Sequence, residues 1–435
     1  MKTIKVLFAF IALLLAGTVQ AQSGKTTPAI QHFMNDRFGM FIHWGPITLR
    51  GAEIGWTRGK EVPKEDYDNL YKEFNPVLFN ADAWAKAAKD AGMKYLTITS
   101  RHHDGFCLWP TKFTSYNIAN TPYKKDVLKA LQIACKKQGI KFCIYYSVLD
   151  WYHPDYPIHS AHDSNPDPKA NMIRYISFMK NQLKELLINY DPYMLWFDGQ
   201  WESPWTDEMG KEIYAYVKSI KPDVITNNRL GEEFAAMENK DVDAGKMVGD
   251  YDTPERVVGR LNMNTPWESC FTLCQQWSWK PNDKMESLKK CLSILSMSAG
   301  SNGNLLLNVG PMPDGRIEVR QIERLKEIGD WLKVNGDAIY ETKGGPYKPN
   351  DKYVTTRKGN KIFVHVLDTD TTTLVLPAIS GVEVTRSYLP GGSPVIIRKE
   401  GDKLVLPLPD DRKGKLQYVV VLETNANTEK LPIVQ

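Results

Sequence analysis

The sequence predicts a (β/α)8-like barrel followed by a C-terminal all-β sandwich, on the evidence of three patterns. Eight short apolar runs alternate with amphipathic helical runs between residues 38 and 343. The apolar runs are continuous rather than alternating, which is typical of parallel strands covered on both faces. Beyond Gly344, short strand-like runs follow one another between Gly, Pro and Asp turns, which indicates an all-β sandwich.

The eight predicted barrel strands are short and bounded by turn residues. They are residues 40–45, 95–100, 141–147, 194–199, 224–228, 247–251, 268–273 and 304–310. The intervening segments repeat apolar residues every three or four positions, as in Ile173, Ile176 and Met179, and this spacing predicts helices. A doubly wound open sheet is the alternative, since the connections after the fifth and sixth strands are irregular. The lack of a glycine-rich phosphate loop after the first strand weakens that alternative.

The C-terminal region is predicted to hold six short strands. They are residues 361–367, 372–376, 382–385, 394–398, 403–408 and 417–422. Residues 344–351, with the sequence GGPYKPND, form the predicted linker. The predicted domains are therefore a barrel over residues 22–343 and a sandwich over residues 344–435.

Residues 1–21 have the pattern of a secretory signal peptide. A lysine-bearing start precedes an apolar run from Val6 to Ala16 and a small-residue end, with cleavage expected after Ala21. The run is too short to span a membrane, no cysteine follows it, and no later segment is apolar enough to cross. We therefore expect an exported protein, periplasmic or secreted after cleavage.

The composition narrows the range of partners. The 435-residue chain is 42% hydrophobic and 24% charged, values typical of a globular protein. The formal net charge of +4 falls to +2 once Lys2 and Lys5 leave with the signal peptide, and we find no basic stripe. We therefore expect no nucleic-acid partner. The six cysteines match no zinc spacing, and we expect most of them to be buried and unpaired.

In a (β/α)8 barrel the active site is built at the carboxyl ends of the strands. Polar and aromatic residues follow the predicted strands there, namely His43, Trp44, Arg101, His102, His103, Asp104, Tyr145, Tyr146, Asp198, Asn227, Asn228, Arg229, Asp250, Glu255 and Glu268. Aromatic rings offer an apolar face to a sugar, and His, Arg and Asn side chains bind its hydroxyls. A pair of carboxylates in such a site suits glycoside hydrolysis.

Asp198 is the most informative of these residues. It ends the apolar run YMLWFDGQW, and a buried carboxylate is costly unless it is paired or used. A helix N-cap is the alternative role, but the nearest helical run begins only at about Thr206, beyond Pro204. The position therefore favours a functional carboxylate.

The histidines do not form a metal-binding pattern. His102 and His103 are adjacent, and neighbours on a strand point to opposite faces. The sequence has no H-x-H or H-E-x-x-H motif. A metal-dependent barrel hydrolase stays as an alternative that this pattern disfavours, and we expect neither a metal nor a cofactor.

Six motifs, in order and spacing, resemble the α-L-fucosidases of glycoside hydrolase family 29. They are RFGMFIHWG (37–45), SRHHDGFCLWP (100–110), LWFDG (195–199), GDYDTPE (249–255), PWESC (266–270) and NLLLNVGPMPDG (304–315). The resemblance runs from about Arg37 to Tyr340. The C-terminal region resembles the family's β-sandwich only in its position in the chain and in its pattern of short strands.

The resemblance implies a retaining hydrolase that removes α-linked L-fucose from non-reducing ends without a metal. Asp198 stands at the family's nucleophile position, and a fucosylated glycan is the expected partner. The alternatives are a non-catalytic fucose-binding relative, against which the retained carboxylates speak, and another retaining barrel glycosidase. The expected substrate-binding residues are His43, Trp44, Glu53, Trp56, His102, His103, Tyr145, Tyr146, Trp196 and Arg229.

Two departures from the family's pattern affect the site. Many members carry a contiguous Ser-Glu-Trp, whereas Glu53 and Trp56 are separated here in RGAEIGWTRG. The acid/base position varies in the family, and both Glu255 and Glu268 are candidates. Glu255 is favoured because it follows a strand end in a loop, where a side chain can reach the leaving oxygen. Glu268 is expected within a strand, where an orienting role is easier.

Overall fold

The computed structural model describes residues 27–238 and 240–434. The predicted signal peptide, residues 1–21, lies outside the described residues. The α-helices in these ranges are α1 Pro28–Asp36, α2 Lys64–Asn69, α3 Ala81–Asp90, α4 Val127–Gln138, α5 Met172–Tyr190, α6 Asp207–Ile220, α7 Leu288–Gly300 and α8 Val319–Asn335. Among the described helices, none is long and apolar enough to cross a membrane.

Seven parallel strands form the larger sheet. They are β1 Phe38–Ile42, β2 Tyr95–Arg101, β3 Lys141–Ser147, β4 Met194–Asp198, β5 Ile225–Thr226, β6 Glu268–Thr272 and β7 Asn304–Val309. Their order is β5-β4-β3-β2-β1-β7-β6, and every pairing in it is parallel. Because β1 lies between β2 and β7, the sheet curls round in the manner of a (β/α)8 barrel, which confirms the predicted fold class.

An irregular segment occupies the gap between β5 and β6. Tyr251 pairs with Asn227 just past β5, and Asp252 pairs with Trp267 just before β6. The prediction of a regular strand at residues 247–251 is therefore wrong. A physical reason lies in Asp250, whose carboxylate accepts the Thr226 N–H at 2.8 Å, the place that a strand carbonyl would otherwise take.

The barrel has an aromatic interior and an outer helical layer. Phe41, Tyr95, Tyr145, Trp196 and Tyr251 lie in the interior cluster, whose members are almost fully buried. Phe33 of α1 closes the amino end, with its ring 4.7 Å from that of Tyr251 and 5.5 Å from that of Tyr95. Residues on the other face of the strands pack under the helices. The barrel interior is thus a packed core and not a pore.

Two antiparallel sheets follow the barrel. Their strands are β8 Lys343–Gly344, β9 Tyr353–Lys358, β10 Lys361–Val366, β11 Thr373–Pro377, β12 Val384–Tyr388, β13 Arg398–Glu400, β14 Lys403–Pro407 and β15 Tyr418–Thr424. The sheet orders are β12-β15-β10-β9-β8 and β11-β14-β13. Apolar side chains from β10, β11, β14 and β15 form a common core, as a sandwich requires.

The sequence did not reveal β9, although it pairs along its whole length with β10. Its residues YVTTRK are mostly polar, yet Thr356 and Arg357 are buried because they bond elsewhere in the chain. Thr356 Oγ1 donates to the carbonyl of Ala338, and Arg357 Nη1 donates to that of Thr428. The predicted strand at 394–398 is also misplaced, since β13 begins at Arg398.

The helix α7 joins the barrel to the sandwich. The Gln417 amide nitrogen donates to the Leu292 carbonyl at 3.0 Å and to Ser296 Oγ at 2.6 Å. A Cβ at Gly300 would lie 2.0 Å from Val354 Cγ2, so the close approach of α7 to β9 requires glycine. All six cysteines lie in the described residues without a disulfide, five of them buried and Cys274 partly exposed.

Candidate active site

Asp198 is the last residue of β4 and faces the carboxyl end of the barrel, where only 8% of it is exposed. Its Oδ1 accepts from Arg229 Nη1 at 2.8 Å, and its Oδ2 accepts from the Tyr145 hydroxyl at 2.9 Å. The Asn227 amide bonds both the N–H and the carbonyl of Phe197, at 2.7 and 2.8 Å. The carboxylate is thus held from both sides on a fixed strand end.

Arg229 connects Asp198 to a second carboxylate. Its Nη2 lies 3.0 Å from Glu255 Oε2, while its Nε donates to Thr253 Oγ1 at 3.0 Å. Burial alone would lower the pKa of Arg229, but the charges of Asp198 and Glu255 outweigh it and raise that pKa. One guanidinium therefore contacts both carboxylates, and the Glu255 side chain keeps 18% of its surface open to solvent.

Three buried histidines line the same end of the barrel. His43 Nδ1 lies 2.7 Å from Asn308 Oδ1, and His103 Nδ1 lies 2.7 Å from Ser147 Oγ. The His103 Nε2 is 3.7 Å from Asp198 Oδ2. Burial lowers the pKa of His43 and of His103 to about 3, and that of His102 well below its usual value. All three rings are therefore neutral at physiological pH.

Aromatic rings enclose this polar group. Tyr145 stacks on Trp196 with the ring centres 5.5 Å apart, and the Trp277 ring centre lies 4.7 Å from that of His43. Trp56 and Trp201 are stacked on each other at 6.1 Å and are 39% and 43% exposed. Both lie within 5.6 Å of the His103 ring. The site therefore combines an apolar wall with neutral hydrogen-bonding groups, as sugar-binding pockets do.

Glu268 lies at the opposite end of the barrel from Asp198. It is the first residue of β6 and is fully buried, so it lies within a strand as expected, but not among the residues at the strands' carboxyl ends with which the sequence grouped it. It accepts hydrogen bonds from the Tyr95 hydroxyl, from Trp196 Nε1 at 3.2 Å and from the Tyr251 hydroxyl at 3.4 Å. Burial raises the pKa of Glu268 to about 7, against the lowering effect of these donors.

Comparisons with known proteins agree with this geometry. A sequence model of the family described as Alpha-L-fucosidase matches residues 17–337, well over half of the chain. The chain belongs to the α-L-fucosidase family. Among curated relatives, the human plasma alpha-L-fucosidase is 31% identical over 335 residues, covering 71% of this chain and 69% of the human protein. The Branchiostoma floridae alpha-L-fucosidase is 30% identical and covers 76% of this chain and 77% of its own.

Solved structures from the family are similar over nearly the whole chain. The alpha-L-fucosidase isoenzyme 1 of Paenibacillus thiaminolyticus superimposes with a TM-score of 0.82 at 33% identity, covering 92% of this chain and 99% of its own. A Bacteroides thetaiotaomicron family 29 enzyme superimposes with a TM-score of 0.82 at 28% identity, covering 93% and 98%. That structure is described as a trapped covalent intermediate with 2-fluoro-fucosyl fluoride in a glutamate-to-glutamine mutant.

Two expected substrate-binding residues of this family member lie outside the pocket. Tyr146 donates to Gln182 Oε1 of α5 at 2.8 Å, because it points to the face of β3 opposite that of Tyr145. Trp44 donates to the Met312 carbonyl, and its ring packs on that of Trp84 under the helices. The expectation that these two side chains face the sugar is corrected accordingly.

Glu53 and Trp56 have separate environments. The Glu53 carboxylate accepts the N–H groups of Trp277 at 2.9 Å, Ser278 at 3.1 Å and Ile54 at 3.1 Å. Those bonds hold the carboxylate against the loop of Trp277, and its Oε2 accepts only one of them, so the expected sugar contact by Glu53 stays a prediction. Trp56 lies at the rim of the pocket.

Several residues at the site were not predicted from the sequence. They are Ser147, Trp201, Arg256, Trp277 and Asn308. Trp277 was visible in QQWSW, where core packing and ligand stacking are equally compatible with the pattern. Asn308 is a polar residue near the carboxyl end of the apolar run NLLLNVG. That position was the signal in the sequence that could have identified it as a site residue. In the described ranges, no three His, Cys, Asp or Glu side chains are grouped to hold a metal ion.

We expect Glu268→Gln to change how stability depends on pH. The folded pKa of about 7 exceeds the ordinary 4.5, so the folded state holds a proton that the unfolded state releases. The wild-type free energy of unfolding should therefore fall by on the order of 3 kcal/mol as the pH rises from about 4.5 through 7. Glutamine has no such proton. Urea unfolding of both proteins at pH 5 and pH 8 measures this, and a pH-independent difference between them would contradict it.

Proposed function

We propose that the chain is a retaining, exo-acting α-L-fucosidase with Asp198 as nucleophile and Glu255 as acid/base. The observation that carries this proposal is the contact of one buried guanidinium, Arg229, with both carboxylates at the carboxyl end of a family barrel. Retaining glycosidases place two carboxyl groups on opposite sides of the scissile bond and close together. The covalent intermediate trapped in the Bacteroides relative supports the same chemistry here.

The reaction has two steps. In the first, an Asp198 oxygen attacks the anomeric carbon while the glycosidic bond breaks, and Glu255 gives its proton to the departing oxygen. This leaves a β-linked fucosyl-enzyme and a free alcohol. In the second, Glu255 takes a proton from a water molecule that attacks the same carbon, which releases α-L-fucose and restores Asp198. Arg229 and Tyr145 hold the carboxylate of Asp198 in place for the attack.

The remaining pocket residues are proposed to select the sugar. Neutral His43, His102 and His103 bind hydroxyls without adding charge beside Asp198. The wall of Trp56, Trp201 and Trp277 offers apolar surface to the fucose methyl, which most hexoses replace by a hydroxymethyl group. The substrate class is fucosylated oligosaccharides or glycoconjugates with a terminal α-L-fucose.

We propose that the protein is exported after removal of residues 1–21. Intact-mass measurement of the protein recovered from the periplasm or medium of the expressing cell should give a chain that begins at Gln22. A chain that retains Met1 and stays with the cytosol would contradict export.

Asp198→Asn should abolish turnover and leave the fold intact. The amide keeps the shape of the carboxylate but is no nucleophile, so kcat on an aryl α-L-fucoside should fall by at least about a thousandfold. Asp223→Asn, at a carboxylate 74% exposed before β5, serves as the matched control and should leave kcat unchanged. Retention of more than a few per cent of activity by Asp198→Asn would place the nucleophile elsewhere. An inactive wild type that still binds L-fucose would instead favour the non-catalytic relative.

Glu255→Ala should slow substrates with poor leaving groups by about 10²- to 10⁴-fold and activated aryl fucosides much less. Azide needs no base, so it should restore turnover on the aryl fucoside and give fucosyl azide of retained α configuration. Glu268→Gln is the comparison, and it should affect both substrates alike and gain nothing from azide. Azide rescue of the Glu268 variant alone would transfer the acid/base role to Glu268.

A further inference from the structure

The hydrogen-bonding direction of His43 follows from the amide of Asn308. Asn308 Nδ2 lies 2.7 Å from the carbonyl oxygen of Trp277, and Asn308 Oδ1 lies 2.7 Å from His43 Nδ1. A carbonyl oxygen only accepts, so the amide group facing Trp277 must be the NH2. The group facing His43 is then the amide oxygen, which also only accepts. The proton of the neutral His43 ring therefore resides on Nδ1, and Nε2 carries a bare lone pair.

The loop that carries Trp277 is itself fixed. The Glu53 carboxylate accepts the N–H groups of Trp277 and Ser278, and Ser278 Oγ donates to the carbonyl of Ala52 at 2.8 Å. These bonds hold the Trp277 carbonyl toward Asn308. Rotation of the Asn308 amide would bring two acceptors together at 2.7 Å, which costs more than a typical hydrogen bond is worth. The orientation of the Asn308 amide, and with it the position of the His43 proton, is therefore determined by backbone groups.

The surroundings of His43 keep its ring neutral and leave Nε2 as its one acceptor. His102 and Tyr145 face it at ring-centre distances of 5.5 and 5.6 Å, and Phe41 and Trp277 at 4.5 and 4.7 Å. Arg256 and His103 are the other titratable groups near it, and both oppose a positive charge on the ring. Burial, first of all, and these two charges disfavour a second proton on the ring, so Nε2 stays bare once Nδ1 carries the proton.

We propose that Asn308 is a positioning residue that fixes His43 as the Nδ1–H tautomer, so that His43 Nε2 receives a hydrogen bond from a sugar hydroxyl. The inference rests on the proposed function for the identity of the sugar, but the tautomer is a property of the free protein. It makes the site selective for a hydroxyl that donates, since a deoxy or fluoro group at that carbon offers His43 no proton.

The first measurement needs no turnover. Long-range ¹H–¹⁵N spectra of ¹⁵N-histidine-labelled protein, with His43→Gln to assign the ring, distinguish a protonated ring nitrogen from a bare one. We expect Nδ1 protonated and Nε2 bare, and we expect L-fucose to shift Nε2 while Nδ1 stays protonated. A wild-type ring protonated at Nε2 overturns the inference even if the enzyme cleaves fucosides. An Nε2 signal that L-fucose leaves unmoved in an active enzyme overturns it as well.

The second measurement uses a matched pair of variants. Asn308→Leu removes the acceptor, and Gln321→Leu removes a buried amide that bonds Gly310 at the same end of β7 without touching His43. We expect Asn308→Leu to lose the single tautomer and to lower kcat/KM on an aryl α-L-fucoside roughly 10- to 100-fold, mainly through KM. Gln321→Leu should change neither. Equal losses in both variants would reduce Asn308 to a structural role. If Asn308→Leu fails to fold, the wild-type spectra with and without L-fucose still decide.

Discussion

The buried guanidinium of Arg229 is the interaction on which the site depends. Arg229 contacts both Asp198 and Glu255, so one buried cation fixes the positions of the two carboxyl groups relative to each other. Its Cζ lies 4.7 Å from the centre of the Trp196 ring, so a cation–π contact also stabilises the guanidinium. A lysine could not span both carboxylates, because it presents a point charge rather than a planar fork.

The irregular segment between β5 and β6 follows from the same requirement. A regular strand there would run its side chains alternately into the core and the helices. The chain instead passes the gap with isolated pairings at Tyr251, Asp252 and Glu255, the last with Cys270 of β6. From there the Glu255 side chain reaches Arg229. The structure thus replaces ladder bonds by side-chain bonds such as that of Asp250 to Thr226. The irregular segment thus brings the Glu255 carboxyl to the Arg229 side chain that also holds Asp198.

The sequence predicts well the features that depend on local pattern. It predicts poorly which face of a strand a side chain points to and which distant groups it bonds. Continuous apolar runs located the seven barrel strands, and a carboxylate ending one of them identified Asp198 as exceptional. The same runs could not tell Tyr145 from Tyr146, since a one-residue shift of register reverses which of them faces the interior. The strand β9 was missed for a related reason. Its Arg357 side chain donates to the Thr428 carbonyl, 71 residues away in the chain, and no local pattern records such a partner.

The acidic side chains at the two ends of the barrel have different surroundings. Asp198 and Glu255 stand at the carboxyl end, one held by Arg229 and Tyr145 and the other partly open to solvent. Glu268 stands at the amino end, where its described hydrogen-bond donors are the neutral side chains of Tyr95, Trp196 and Tyr251, and burial raises its pKa to about 7. Its carboxyl group forms hydrogen bonds within the core, where it accepts one from the indole N–H of Trp196. Glu268 is therefore linked to Asp198, the proposed nucleophile, through Trp196 and Tyr145, whose rings stack on each other and whose Tyr145 hydroxyl donates to Asp198.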